Sequence, residues 1–100
     1  MSLKYKKWPV TLSWAVYGNG RTALTLLHAT EGDPVIVATV NLPDDDLGDG
    51  KAFIKDYGEN EGILDWLIGQ GLAEATGRSV GSGFVMIPEV RWLKGPGVTK

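Results

Sequence analysis

Alternating apolar and polar residues first appear in WPVTLSWAVY, which covers residues 8–17. Every second position is apolar, and this period of two predicts a half-buried β-strand. The GNG that follows contains Asn19 and Gly20, which both tolerate positive φ and therefore favour a hairpin turn. RTALTLLHAT then predicts the return strand of the hairpin.

The length of the hairpin loop decides which side chains lie opposite one another. A two-residue loop would pair Trp14 with Thr25, whereas a three-residue loop closed by a glycine bulge would pair it with Leu24. The second register places more apolar surface beside Trp14 and brings His28 close to Val10. We therefore expect the three-residue loop.

Three more strands are predicted farther along the chain. Residues 35–42 (VIVATVNL) are apolar on both sides, which predicts a strand at the centre of the sheet. Residues 51–55 (KAFIK) predict a short fourth strand. Residues 82–93 predict a fifth, in which Pro88 breaks the hydrogen-bond ladder or marks a sheet edge.

One helix is predicted, over residues 61–70. Its apolar stripe at helical spacing consists of Ile63, Leu64, Leu67 and Ile68. Gly71 predicts a left-handed C-terminal cap, with Leu72 folded back onto the helix. The order β-β-β-β-α-β predicts a single α+β domain over residues 1–100, ordered from about 8 to 93. In this fold a mostly antiparallel, twisted sheet of about five strands carries the helix on one face.

Polar side chains concentrate in IKDYGENEG, residues 54–62, between the fourth strand and the helix. In one interpretation they only start the helix, because Asn60 can serve as its N-cap and Asp56 with Glu59 can form an alternative capping box. In the other, they form a patch that contacts a partner, made of Asp56, Tyr57, Glu59 and Glu61. A catalytic carboxylate pair would need surroundings that separate the two pKa values, which the flanking residues do not promise.

Reactive side chains are scarce in this sequence. His28 is the single histidine, and there is no cysteine, which excludes disulfides, thiolate metal sites and a cysteine nucleophile. A Ser-His-Asp hydrolase would have to use His28 as its general base. We therefore predict a protein that is not an enzyme and that has no cofactor. A small hydrolase with a pocket around His28 is a less favoured alternative.

Acidic residues crowd the loop PDDDLGDG, residues 43–50. Its carboxylates do not have the spacing of a calcium-binding loop, so we expect a solvated loop and no metal site. The acidic residues in question are Asp44, Asp45, Asp46 and Asp49.

The basic residues form two groups, although the net charge of the chain is -2. Lys4, Lys6 and Lys7 alternate with Tyr5 and Trp8, a mixture that can hold a nucleic-acid backbone and stack on bases. The second group includes Arg78, Arg91 and Lys94. The near balance of charge makes nucleic-acid binding an alternative rather than the leading hypothesis.

The four tryptophans are many for 100 residues. We expect Trp66 and Trp92 at the rim of the core, where they would serve as contact anchors, since tryptophan is enriched in interface hot spots. No apolar run approaches the ~20 residues that cross a bilayer, and no signal-peptide core follows the basic N-terminus. A soluble protein of the host-cell cytoplasm is predicted.

Four segments together resemble a family of small uncharacterised proteins found in phages, prophages, plasmids and conjugative elements. They are YGNGRTALTLL, VNLP, IKDYGENEGILDWLIGQGL and TGRSVGSGFVMIPEVRWL, and the resemblance covers roughly residues 10–93. It implies an accessory protein of a mobile element. Small proteins of that kind often bind host defence complexes, as anti-CRISPR and anti-restriction proteins do.

The leading hypothesis is therefore a non-enzymatic protein that inhibits a host defence complex, with a CRISPR effector as the suspected target. Acidic groups would meet the target's nucleic-acid-binding surface, and aromatic rings would anchor the contact. The predicted contact residues are Asp44, Asp45, Asp46, Asp49, Asp56, Tyr57, Glu59, Glu61, Trp66 and Trp92. The alternatives are a small nucleic-acid-binding module and a structural or accessory phage protein. The protein would be a monomer, or a homodimer formed by an exposed edge strand.

Overall fold

The computed structural model describes residues 3–42, 45, 47–48 and 50–95, with the backbone alone at Glu59. In this part of the chain the strands are β1 (Leu3–Tyr5), β2 (Trp8–Val16), β3 (Thr22–His28), β4 (Pro34–Val37), β5 (Thr39–Val40), β6 (Lys51–Ile54), β7 (Ala73–Ser82) and β8 (Val85–Trp92). A 3-10 turn at Gly58–Asn60 precedes the α-helix, α1 (Ile63–Gly69).

The strands form two antiparallel sheets, with the orders β1-β2-β3-β4 and β5-β6-β8-β7. The predicted α+β class with mostly antiparallel pairing is confirmed. The expected single sheet of about five strands is wrong, because the described residues form two sheets of four strands each.

The β2–β3 hairpin has the predicted register. Trp14 lies opposite Leu24, and Val10 lies opposite His28. The three-residue loop is closed by a bond from the Tyr17 N–H to the Arg21 carbonyl (2.8 Å), with Gly20 at a φ of 87°. The apolar surface around Trp14 and the positive φ of glycine together select this register.

The chain passes from the first sheet to the second at Ala38. Its N–H donates to the carbonyl of Leu24 in the first sheet, and its carbonyl accepts from the N–H of Lys55, beside the second (both 2.9 Å). The predicted central strand over 35–42 is therefore wrong: it consists of β4 and β5, each an edge strand of a different sheet. The segment is apolar on both sides because it crosses the core, with Ala38 fully buried.

The second sheet contains one strand, β7, that the sequence did not reveal. Its residues are mostly exposed, and a register shift between Ala75 and Ser79 sets three residues opposite Glu89. This bulge removes the period of two that would mark a strand. Pro88 interrupts the ladder on one side of β8, as predicted, because the β6–β8 pairing stops at Glu89, the residue that follows the proline.

The core lies between the two sheets and under the helix. Trp14 of β2 meets Trp92 of β8 edge to face, with ring centroids 5.0 Å apart. Ile63 and Leu67 supply the buried side of α1. The other buried apolar members include Val10, Leu24, Leu26, Ile36, Ala52, Ile54, Leu72 and Val90.

The helix is shorter than the predicted 61–70 but ends as predicted. Gly71 has a φ of 71°, its N–H bonds the Ile68 carbonyl, and the Leu72 N–H bonds the Leu67 carbonyl (both 3.0 Å). These two bonds form a Schellman motif, which explains the buried position of Leu72. No helix in the described residues combines the length and the apolar character that crossing a bilayer requires.

Candidate functional site

The polar segment before α1 is used mainly to start the helix. Asp56 Oδ1 accepts hydrogen bonds from the N–H groups of Gly62 (2.8 Å) and Leu64 (3.4 Å). Asn60 is not the N-cap of α1, because Gly62 takes that place with a φ of 98°. The Asn60 side chain is buried instead, and its Nδ2 donates to the carbonyl of Val37 (2.7 Å). Asn60 thereby joins the helix segment to β4.

The described side chains among the remaining members of the predicted polar patch have different surroundings. Tyr57 is half-buried, with the Lys55 ammonium 5.9 Å from its ring centroid. Glu61 is exposed. The side chain of Glu59 lies outside the described part of the structure. Asp56 and Glu61 can contribute to a contact surface, but Asp56 already serves two backbone N–H groups.

The acidic loop is only partly described, since Asp44, Asp46 and Asp49 lie outside the described residues. Asp45 is half-buried, and its carbonyl accepts from Nη2 of Arg21 (2.6 Å). Nη1 of the same arginine donates to the carbonyl of Leu42 (2.7 Å). Arg21, which directly follows the Asn19-Gly20 turn, therefore holds the beginning of the acidic loop to the β2–β3 hairpin.

The two tryptophans that we expected at the rim of the core differ in exposure, and their role as contact anchors stays a prediction. Trp92 is 2% exposed, so its prediction as a rim residue is wrong. Its position follows from packing against Trp14 on the opposite sheet, a contact that no local pattern encodes. Trp66 is half-buried, meets the Tyr5 ring edge to face, and donates from Nε1 to the carbonyl of Lys4 (2.7 Å). Trp66 holds α1 against β1.

The most exposed large apolar side chain among the described residues is Phe84. It stands in the two-residue loop Gly83–Phe84 that joins β7 to β8, where Ser82 pairs with Val85. Met86, two residues farther, is 64% exposed. We call Phe84 and Met86 the hairpin tip. The strand predicted over residues 82–93 includes both residues. Gly83, just before the aromatic residue, was the available signal of a turn.

A second feature is a cleft of about 410 Å³ between the β1–β2 turn, β4 and the segment after β6. We call it the lysine groove. Its lining residues are Tyr5, Lys6, Trp8, Pro34, Val35, Ile36, Val37, Lys55 and Asn60. Trp8 is 40% exposed, and the Lys7 ammonium lies 5.1 Å from its ring centroid. Part of the predicted lysine and aromatic cluster therefore forms a real concave surface.

The arginines of the second basic group are paired with carboxylates. Arg91 forms an ion pair with Glu74 on the neighbouring strand. Arg78 donates to Oε2 of Glu89 (2.5 Å), and Thr76 lies 2.8 Å from Oε1 of the same carboxylate. These pairings reduce the positive charge that Arg78 and Arg91 could offer to a nucleic acid.

Glu89 is a buried acid whose two carboxylate oxygens each accept a hydrogen bond from a side chain. Burial alone would raise the pKa of its carboxyl group, but hydrogen bonds from Thr76 and Arg78 and the charges of Arg78 and Lys51 outweigh this and lower the pKa. Glu89 is therefore held as an ionised structural anchor at the β7 bulge rather than as a proton donor.

His28 packs edge to face against Trp8, with ring centroids 4.8 Å apart. Within the described residues, no three histidines, aspartates or glutamates lie together in a way that could hold a metal ion. The arrangement around His28 is a side-chain packing contact on the first sheet.

Residues 11–94 match the family model described as a domain of unknown function, DUF4313. The chain belongs to the DUF4313 family. No curated protein and no solved structure gives a significant match to it. The predicted membership of an uncharacterised family is thus confirmed.

The two surface features of this DUF4313 protein differ in whether their residues lie within the matched segment, residues 11–94. The hairpin tip lies inside the matched segment. The lysine groove takes Tyr5, Lys6 and Trp8 from the residues that precede it. Of the two features, the hairpin tip is therefore the one that lies wholly within the DUF4313 domain.

Proposed function

We propose that this DUF4313 protein is a non-enzymatic binding protein that docks on another protein through the hairpin tip. The observation that carries the proposal is the complete exposure of the Phe84 ring, beside a largely exposed Met86. Aromatic rings and methionine are enriched at the centres of protein interfaces, because their burial removes much apolar surface from water.

The base of the hairpin is held rigidly, which favours binding. Ile87 is 1% exposed, and four residue pairs connect Ser79–Ser82 with Val85–Pro88. Below them, Glu89 is held by Thr76 and Arg78. A side chain presented by a rigid element loses less conformational entropy on binding than one on a mobile loop.

In its more specific form, the proposal is that the partner is a host defence complex and that the protein inhibits it by occupying its surface. A CRISPR effector is the suspected target. Support for this form comes from the resemblance to small proteins of phages and conjugative elements. Glu61, which is exposed, and the acidic residues of the loop after β5 would add contacts to basic surfaces of such a target.

Affinity capture from a lysate of the source cell tests the proposal. The wild-type protein and the Phe84→Ser variant are immobilised at equal density, and the retained proteins are quantified by mass spectrometry. We expect at least one protein to be retained about 30-fold less by the variant, since a hot-spot side chain contributes about 2 kcal/mol or more.

A matched control is Val16→Ser, which alters another exposed apolar side chain, 63% exposed, in the first sheet. It should retain the partner as the wild type does. Equal retention by wild type and Phe84→Ser would contradict the docking proposal. Loss of a partner unrelated to host defence would contradict only the more specific form.

Nucleic-acid binding is a second candidate, favoured by Lys7 beside the exposed Trp8 ring and Lys6 over the Tyr5 ring. A gel shift with a single-stranded oligonucleotide at low and high salt tests it. Retention that falls steeply with salt, and that is lost in Lys6→Gln with Lys7→Gln, would support this function. Unchanged mobility at low salt would exclude it.

A further inference from the structure

The outer face of the first sheet carries no charged side chain on its three longest strands. β2, β3 and β4 contain no aspartate, glutamate, lysine or arginine, although these residues make up 22% of the chain. Val10, Leu24 and Leu26 are buried on the inner face, and the side chains that alternate with the inner ones point outwards. We call the outward set the flat face. It consists of Thr11, Ser13, Ala15, Ala23, Thr25, Leu27 and Val37.

The flat face is open to solvent in a single copy of the chain. Thr11 and Ala15 are exposed, and Val37 is 46% exposed. Lys4, which lies opposite Pro9, stands at the margin of the face. Protein surfaces that stay in water usually carry about 25–35% charged residues. A continuous face without any charge therefore indicates a surface that another molecule covers.

Side-chain size falls from one end of the flat face to the other. Its three cross-strand rows are, from the large end to the small end, Thr11–Leu27, Ser13–Thr25–Val37 and Ala15–Ala23. The face is therefore raised at Leu27 and lower at Ala15 and Ala23. A molecule that packs closely on it has to be recessed near Leu27 and raised near the two alanines.

A second copy of the same chain has this complementary shape. We consider a two-fold axis that lies between the two faces and runs across the strands, so that the strands of the copies are antiparallel. Leu27 then lies on Ala23 of the partner subunit, and the symmetry repeats this contact. Thr25 lies at the axis, where its hydroxyl group can bond to that of Thr25 of the partner subunit, since a hydroxyl both donates and accepts.

We propose that the protein forms a homodimer through the flat face, with the strands of the two copies antiparallel across the interface. Three strands about 4.8 Å apart make the face smaller than a standard interface, which buries about 800 Å² per partner. The dimer is therefore weak and depends on protein concentration. It carries two hairpin tips, and it can bind a partner with two docking sites more tightly than one copy can.

Other occupants fit the flat face less well. A nucleic acid needs lysine or arginine to contact its phosphates, and the face offers neither. Pairing of edge strands, the other route to a homodimer, would leave the uncharged face in water. The proposed contact uses no residue of the hairpin tip, so it goes beyond docking there and fails or holds separately.

Sedimentation equilibrium between about 5 and 500 µM protein tests the proposal. The average mass of the wild type should rise with concentration from 10.8 kDa towards twice that value. Thr25→Arg places two like charges at the axis and should stay monomeric over the whole range. Thr22→Arg is the matched control, because it changes the same residue type on the same strand but on the opposite face. It should dimerise as the wild type does.

Exchanging the two ends of the flat face tests the antiparallel arrangement. Ala23→Leu sets leucine against leucine, and Leu27→Ala removes the raised end, so each should weaken the dimer about tenfold. In the double variant each leucine again lies opposite an alanine of the partner subunit. Its dissociation constant should therefore return to within about threefold of the wild-type value.

Two further measurements keep these results apart from a fold defect and from the hairpin tip. Circular dichroism of Thr25→Arg at low concentration should show the spectrum and the melting temperature of the wild-type monomer. Phe84→Ser should dimerise as the wild type does, whether or not the hairpin tip docks on a partner.

A mass of 10.8 kDa for the wild type at every concentration would overturn the proposal. A dimer that Thr25→Arg leaves intact would also overturn it, because the interface would then lie elsewhere, such as at an edge strand. A double variant that binds no more tightly than Ala23→Leu or Leu27→Ala alone would contradict the antiparallel arrangement.

Discussion

Glu89 illustrates, at the scale of a single residue, how this domain uses charge. The carboxylate is 3% exposed and pairs with Arg78, whose side chain is 43% exposed. Such a pair is retained more easily than a fully buried one, because the arginine keeps part of its hydration. The carboxylate fixes Thr76 and Arg78 of the bulge to β8, and the bulge in turn sets the base of the projecting hairpin.

Glu89→Gln tests this role through the pH dependence of stability. The folded-state pKa is lowered, so the carboxylate stabilises the fold above the unfolded pKa of about 4.5. That stability is lost as the pH falls below this value. We expect urea unfolding to show a loss of about 1–3 kcal/mol for the variant at pH 7. The difference from wild type should shrink towards pH 3, and a constant difference would contradict the assigned role.

The conformation of a single residue could be predicted from the sequence where its neighbours along the chain determine it. Gly20 and Gly71 sit in a hairpin loop and a helix cap, and neighbouring residues define both conformations. Trp92 was not predictable, because its burial depends on a tryptophan in the other sheet. The exposure of Phe84 was missed for a related reason, since it depends on where the unrecognised strand β7 ends.

At the scale of secondary-structure elements, the β2–β3 hairpin followed from its apolar pattern, including its register. The β4–β5 segment shows the limit of such patterns. A segment that crosses the core between two sheets is apolar on both sides, as a central strand is. Only the bonds of Ala38 to both sheets distinguish the two cases. β7 escaped detection because a bulged edge strand has neither alternation nor an apolar run.

The β7 bulge supplies the prediction at this scale. Gly77 has a φ of 88°, and an alanine there would be strained although the space around it is open. Gly77→Ala should lower the free energy of unfolding by about 1 kcal/mol, measured by urea titration. Gly81→Ala in the same strand is the control, since Gly81 has no positive φ and its added Cβ would make an ordinary 3.8 Å contact with Met86. Equal effects would show that the bulge needs no glycine.

At the scale of the whole molecule, the described strands form two four-stranded sheets, which share one apolar core with the helix. Two surface features of different chemistry lie outside this core. The hairpin tip is apolar and projects from the second sheet. The lysine groove is concave and positively charged, and it follows the edge of the first. The contact residues predicted from the sequence are acidic and tryptophan residues elsewhere in the chain, and their role stays a prediction. The two surfaces arise from tertiary packing, which the sequence pattern does not encode.

The contact between Trp14 and Trp92 should hold the two sheets together. Trp92→Ala is expected to lower the free energy of unfolding by about 3–5 kcal/mol, because it leaves a large cavity between the sheets. Chemical denaturation followed by circular dichroism measures the loss. Trp8→Ala, at a ring that is 40% exposed, should cost less than half as much. A small effect at Trp92 would show that the sheets are held together elsewhere.

Photo-crosslinking at the hairpin tip tests most directly whether the protein acts by docking there. p-Benzoyl-phenylalanine replaces Phe84 in one sample and Val16 in a second, both exposed positions, and each is irradiated in a lysate of the source cell. We expect a discrete protein adduct from position 84 that position 16 does not give. Identical adduct patterns, or no adduct from position 84, would contradict docking through the hairpin tip.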